Sequence, residues 1–139
     1  MLLPLKLLTV IKNGDIEDSY TFYFFCKKLK VLLPIVISSI VNNECKNFEN
    51  ANIYNTYLRT LRALDAKIYG IKIYLYQNNV FYTYLCLYTS SNRFEINCNI
   101  SDALKLLLQT GCPVFTTYKV LENGGIKVTK QLVSSALEN

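Results

Sequence analysis

The stretch KIYGIKIYLYQNNVFYTYLCLYT, Lys67 to Thr89, is two apolar and aromatic runs around a polar Gln-Asn-Asn. β-Branched and aromatic residues in alternation, joined by turn formers, specify a pair of antiparallel strands. Their register decides what each face of the sheet presents. A two-residue turn at Asn78-Asn79 would set Ile73 opposite Tyr84. A three-residue loop, Gln77 to Asn79 with one Asn left-handed, groups Ile71, Ile73 and Leu75 with Phe81, Leu85 and Leu87. Lys72, Tyr74 and Tyr76 then share the other face with Tyr82, Tyr84 and Tyr88. Because it separates aliphatic from tyrosine, the three-residue loop is the expected one.

A tyrosine face beside lysine has two readings. Exposed, its rings could stack unpaired bases. Covered by a helix, a second sheet layer or a partner subunit, it is the half-buried surface that Tyr suits. Five tyrosines left open together would form an apolar patch that a soluble monomer seldom tolerates, so burial is the expectation.

Strands precede this pair. PLKLLTVIK (Pro4–Lys12) and SYTFYFFCK (Ser19–Lys27) flank the polar turn NGDIED, and KVLLPIVISS (Lys30–Ser39) makes a third. IVNNECKNFENAN, residues 40–52, is polar with room for a short helix. Ile53–Lys67 follows a helical period, with Ile53, Tyr57, Leu58, Leu61 and Leu64 on one face and Arg59 and Arg62 off it.

RFEINC (Arg93–Cys98) reads as a strand. The helix after it runs from Ile100 to about Thr110, burying Ile100, Ala103, Leu104, Leu107 and Leu108, with Lys105 and Gln109 outward. Asn99 can cap it, and Gly111 can end it in a left-handed conformation before Pro113. CPVFTT is a short strand, YKVLENGG a last helical turn, and IKVTK an edge strand. The order predicts one α+β domain over residues 1–139, a mostly antiparallel sheet with two main helices packed on it.

The composition narrows the chemistry. There is no histidine, which excludes a Ser-His-Asp triad, a Cys-His pair and a His-ligated zinc. Acid–base work would fall to carboxylates, Lys, Tyr, Cys or a metal-bound water. The net charge of +5 permits a polyanionic partner, and a mildly basic soluble protein carries the same balance. The five cysteines, Cys26, Cys45, Cys86, Cys98 and Cys112, are odd in number and contain no C-x-x-C. They read as buried or free thiols in a reducing compartment rather than a disulfide framework.

No apolar run reaches a membrane span, and the start lacks the pattern of a signal or transit peptide. The abundance of Asn, Ile, Lys, Tyr, Phe and Leu fits A/T-rich coding. The expected address is therefore a plastid, as an organelle-encoded protein, or a bacterial cytoplasm, with no membrane partner.

The second half carries a recognisable series of phrases: Phe81-Tyr82-Thr83, then Ser101-Asp102-Ala103 opening a helix, then Cys112-Pro113-Val114-Phe115, then Val120-Leu121 and Gly125-Ile126. This series resembles the bifunctional nuclease family, whose members have F-Y-A, D-x-R-P-S-D-A, P-I-F-V and V-L-x-x-x-G-I in that order. Upstream, LLPIVIS resembles its L-P-I-x-I-G strand, and IYNTYLRTLRAL the helix that begins R-P-x-T-H-D-L. The resemblance spans roughly Leu33 to Ile126 and is strongest over residues 66–126.

It implies DNase and RNase activity, with DNA or RNA as partner, a homo-oligomer as an admissible state and a divalent cation such as Mg²⁺ if active. The site residues it implies are Asp102, Ser101, Asn97 and Asn99, with Asp102 the only candidate metal ligand and Glu95 a further helper on the strand. The family's polar pattern is altered here. Its Asp falls on Asn97, its Arg on Asn99 and its Pro on Ile100. Upstream, its His falls on Thr56 and the following Asp on Tyr57.

The resemblance therefore implies a nuclease-family domain with weak or lost phosphodiester hydrolysis. The alternative is a non-catalytic nucleic-acid-binding or assembly module. Asp102 also has a local reading, since a carboxylate in a first helical turn gains about 0.3–1 kcal/mol from the helix dipole.

Overall fold

In the computed structural model, residues 1–14, 19–38 and 53–129 are described. The polar segment at 40–52 and the short helix expected there, most of the NGDIED turn, and Cys45 lie outside them. Among the described residues, three helices, α1 (Ile53–Ala63), α2 (Ile100–Thr110) and α3 (Tyr118–Gly124), pack on one sheet. The sheet's strands are β1 (Leu2–Asn13), β2 (Ser19–Cys26), β3 (Val31–Ser38), β4 (Lys67–Gln77), β5 (Val80–Tyr88), β6 (Arg93–Asn99), β7 (Val114–Thr117) and β8 (Ile126–Lys127). Their spatial order is β6-β5-β4-β7-β1-β2-β3-β8. Only the β4–β7 pair is parallel, so the α+β expectation holds. The last helical turn, α3, is a third helix.

The long strand β1 joins the two halves of the sheet. Its first residues, Leu2 to Leu5, pair with β7, and the stretch from Lys6 to Asn13 pairs with β2. Alternate residues of the central strands then meet the helices. Phe22, Phe24, Leu33, Ile35, Ile71, Ile73 and Leu85 are buried with Ala103, Leu104, Val120 and Leu121 in one core. Two buried hydroxyls are satisfied inside it: Thr116 donates to the Ile73 carbonyl at 2.9 Å, and Thr83 donates to the Cys98 carbonyl.

The β4–β5 hairpin corrects the expected loop. Gln77 pairs with Val80, so the turn is the two-residue one, with Asn78 at φ 53° and Asn79 at φ 63°. Both values are left-handed, as a type I′ turn requires. The aliphatic separation is achieved differently, by a slip of register at Tyr74. Ile73 pairs with Thr83 and Leu75 with Tyr82, leaving Tyr74 as the extra residue of a bulge. The slip inverts the alternation at the tip. Tyr76 joins Phe81 on the helix side, rings 4.3 Å apart, while Leu75 turns to the other face. Beyond the slip the expected grouping returns, with Ile71, Ile73 and Leu85 buried and Lys72 opposite Tyr84.

The helix faces also need correction. In α1 the buried residues are Tyr54 and Leu61, while Ile53 and Leu64 are each 69% exposed. Ile53 is the first helical residue and Leu64 lies past the last, so neither end presents a side chain to the sheet. In α2, Leu106 is buried with Ala103, Leu104 and Leu107, and Leu108 is exposed. Leu106 and Tyr54 line the same cleft. Lys105 is half-buried rather than outward, its Nζ enclosed without a hydrogen-bond partner among the described residues.

Gly111 adopts φ 65° and ψ 22°, and its N–H donates to the Leu107 carbonyl at 2.7 Å. A Cβ there would meet nothing within 4 Å, so the cost of a side chain is conformational. Gly111→Val should lower stability by about 1 kcal/mol or more, because a β-branched residue tolerates positive φ poorly. Thermal or urea unfolding measures it, and an unchanged midpoint would contradict the cap. Among the described residues, no helix is long and apolar enough to cross a membrane.

Candidate functional site

Strand β6 runs directly into α2, and the junction is built by Asn99. Its backbone is extended, at φ −64° and ψ 139°, and it pairs with Tyr82 of β5. Its side-chain oxygen accepts the Ser101 N–H at 2.8 Å, satisfying one of the free donors at the helix start. Asp102 follows in the first turn, where the helix dipole favours its negative charge.

Asp102 does more than complete a helix. Its Oδ1 accepts a hydrogen bond from the Tyr54 hydroxyl at 2.6 Å. Tyr54 is buried at the start of α1, so this short charge-assisted bond ties two helices that are distant in sequence. The tie forms one wall of a cleft of about 320 Å³. Tyr54, Tyr57, Ile96, Cys98, Asn99 and Asp102 are among its lining residues.

Asp102 is the one carboxylate among the described residues that line this cleft. Among the described residues, no group of three or more His, Cys, Asp or Glu side chains could hold a metal ion. The Asn99 oxygen is engaged by Ser101. A hard cation prefers about six oxygen ligands. The described residues therefore do not cage an ion; a cation here would have to be carried mainly by phosphate and water, with Asp102 the one carboxylate they offer it.

Cys98 faces the same space. Burial, and then the Asp102 charge, push its thiol up to about 11. Burial, and then Cys98, also raise Tyr57 above the ordinary phenol range. Cys98 is thus a neutral thiol near pH 7 and supplies no thiolate nucleophile. Two outcomes follow. At pH 8 Cys98 should alkylate with iodoacetamide about 100-fold more slowly than an unfolded thiol, as peptide mass spectrometry would measure. Between pH 9 and 11 an unfolded chain releases this proton and the folded one keeps it, so stability should be complete below that window and fall as pH rises through it.

The residues implied by the sequence separate into two sets. Ser101, Asp102 and Asn99 come together at the start of α2. The side chain of Asn97 lies on the opposite sheet face, where it accepts the Tyr74 hydroxyl at 3.2 Å. Glu95 shares that face, as strand alternation requires, and its carboxylate lies 3.5 Å from Lys72. Glu95 is therefore no helper of Asp102. Thr56 is exposed, and its carbonyl accepts the Thr60 hydroxyl. Tyr57 stands on the cleft wall. The residue the sequence reading overlooked is Tyr54; its spacing of seven from Leu61 was the available signal.

The family model of the bifunctional nuclease domain matches residues 27–129. No curated protein matches the sequence. Strands β1 and β2 precede the matched span, yet they complete the middle of the same sheet.

Proposed function

This chain belongs to the bifunctional nuclease domain family, and from that premise we propose that it engages DNA or RNA while hydrolysing phosphodiesters weakly or not at all. Membership itself carries a nuclease-like or nucleic-acid-related function. The finer reading rests on one observation: Asp102 stands as the single carboxylate in its cleft among the described residues, already holding the Tyr54 hydroxyl. Metal-assisted hydrolysis needs ligands to fix a cation and a base or positioned water for in-line attack. Here the family's His, Arg and Asp positions are occupied by Thr56, Asn99, Tyr57 and Asn97, none of which ionises to a base near pH 7.

In this reading Ser101 and Asp102 are what remains of a site. A phosphate reaching the start of α2 meets free backbone donors, which favour it, and the Asp102 charge, which opposes it unless a cation lies between. We place the protein in a reducing compartment, since Cys26, Cys86, Cys98 and Cys112 are free thiols. The assembly reading keeps one support: the edge strand β6 leaves Phe94 and Ile96 exposed on the helix side.

The test is Asp102→Asn. Residual metal-dependent cleavage of labelled single-stranded RNA should vanish in the variant, while retention of the same strand stays within about twofold. Robust cleavage that survives Asp102→Asn would remove Asp102 from the site.

A further inference from the structure

The face of the sheet away from the helices carries a second surface. Paired positions stack there in rows across β4, β5 and β6: Lys67 with Tyr88 and Arg93; Lys72 with Tyr84 and Asn97; Leu75 with Tyr82 and Asn99. The slips of register add Tyr69 and Tyr74 to the same side. Tyr74 stacks on Tyr84 at 4.2 Å and leans on Tyr82 at 6.3 Å, while Tyr69 packs against Tyr88 at 6.1 Å. No described helix lies over them. Tyr82 is 40% exposed and Tyr88 39%, so of the two covers expected, a helix or a partner subunit, no helix among the described residues buries the outer rings.

We propose that this tyrosine face binds single-stranded nucleic acid, its rings stacking unpaired bases and its cations holding the backbone. The inference rests on the nucleic-acid reading above and names the surface that performs it. Three observations select the occupant. Charge is the first: on this face of β4, β5 and β6, Lys67, Lys72 and Arg93 stand with one acid among the described residues, Glu95, which pairs with Cys86 in the next row and which Lys72 already balances. The Lys72 and Arg93 side chains lie over the Tyr84 and Tyr69 rings at 5.9 and 5.5 Å, so cations and ring faces alternate along the surface.

Spacing is the second. Tyr82 and Tyr84 are alternate residues of one strand, about 6.6 Å apart, so consecutive rings lie along a line that splayed bases can follow. Ring stacking needs the base faces that a duplex hides.

Continuity is the third. Beside Tyr74 and Tyr82 lies a hollow of about 540 Å³, and Asn97, Cys98 and Asn99 line both it and the Asp102 cleft. The tyrosine face thus runs around the end of β6 to the start of α2. A strand stacked on the rings is delivered to the carboxylate, which explains how binding would outlast cleavage at the family's site.

The experiment titrates the full chain with an unstructured, end-labelled single strand in EDTA, reading anisotropy and tyrosine emission. The chain has no tryptophan, so its emission reports the tyrosines directly. Tyr82→Ala should weaken binding about 5- to 150-fold, and Tyr82→Phe, which keeps the ring, should leave it within about twofold. If Tyr82→Ala does not fold, Tyr88→Ala, at the other exposed ring, should give a loss of the same order.

Equal affinity in the wild type and the alanine variants would overturn the inference while leaving the nucleic-acid reading intact. A wild type that binds no single strand would overturn both. Equal affinity for a duplex of the same length, or a Tyr82→Ala variant that changes only the sedimentation of the protein toward monomer, would also overturn it. The last outcome would assign the face to a second copy of the chain.

Discussion

Single-stranded RNA or DNA should be cut by this chain about 10²- to 10⁴-fold more slowly than by a family member with intact polar phrases, the range associated with losing a positioned acid or base. The physical basis is local. Tyr57, where the resemblance implies the family's Asp, stands on the cleft wall, so on the proposed reading a neutral phenol takes the place of a carboxylate three residues from Tyr54. Asn99 replaces an Arg, and its oxygen is spent on capping α2. Asn97 replaces an Asp, and its side chain is turned to the tyrosine face. The changes at 57 and 99 remove charge from the start of α2, where a metal or developing oxyanion would need it, whereas a carboxylate at 97 would face the tyrosine side. Single-turnover rates of the two proteins on one labelled substrate make the comparison. Equal rates would mean that the polar phrases do not carry the chemistry.

Leu104→Ala should destabilise the protein by about 2–5 kcal/mol, the cost of truncating a fully buried leucine and leaving a cavity. Leu104 is fully buried in the middle of α2, against the core that β3 and β5 supply. Its loss loosens the helix whose first turn holds Asp102, so single-strand retention should become more sensitive to temperature as well. Urea unfolding measures the stability change. A shift under about 1 kcal/mol would mean that α2 is not anchored as described.

Much of this architecture was legible because local and long-range demands agree. Gly111 is followed almost at once by Pro113, so a left-handed stop was the available solution, and the backbone takes it. Asn99 before Ile-Ser-Asp marked the start of α2 on capping chemistry alone. The hairpin was different. Both loop lengths agree with the Asn pair, and segregation of side chains favoured the longer one. The protein instead uses the tight turn and restores segregation with a bulge at Tyr74, an adjustment that no local preference announces.

The candidate site was legible only where it is contiguous in sequence. Ser101, Asp102 and Asn99 are neighbours in the chain and in space. Tyr54 reaches Asp102 from a helix 48 residues away. Its role depends on how α1 docks, and a helical period with Ile53 in its stripe gives the wrong rotation. Asn97 was implied by its place in a phrase, yet strand alternation sends its side chain to the far face while its backbone stays beside the cleft. The open tyrosine face was similarly out of reach, since which side the helices cover is a tertiary fact.

One measurement separates binding from cleavage in a single tube. An end-labelled single strand is incubated with the wild-type chain in Mg²⁺, Mn²⁺ or EDTA, and each sample is split between a native retention assay and a denaturing gel. The strand should be retained in all three conditions and recovered intact, or nearly so. Rapid cleavage in Mg²⁺ or Mn²⁺ that EDTA abolishes would contradict the account, and so would a strand that is neither retained nor cut.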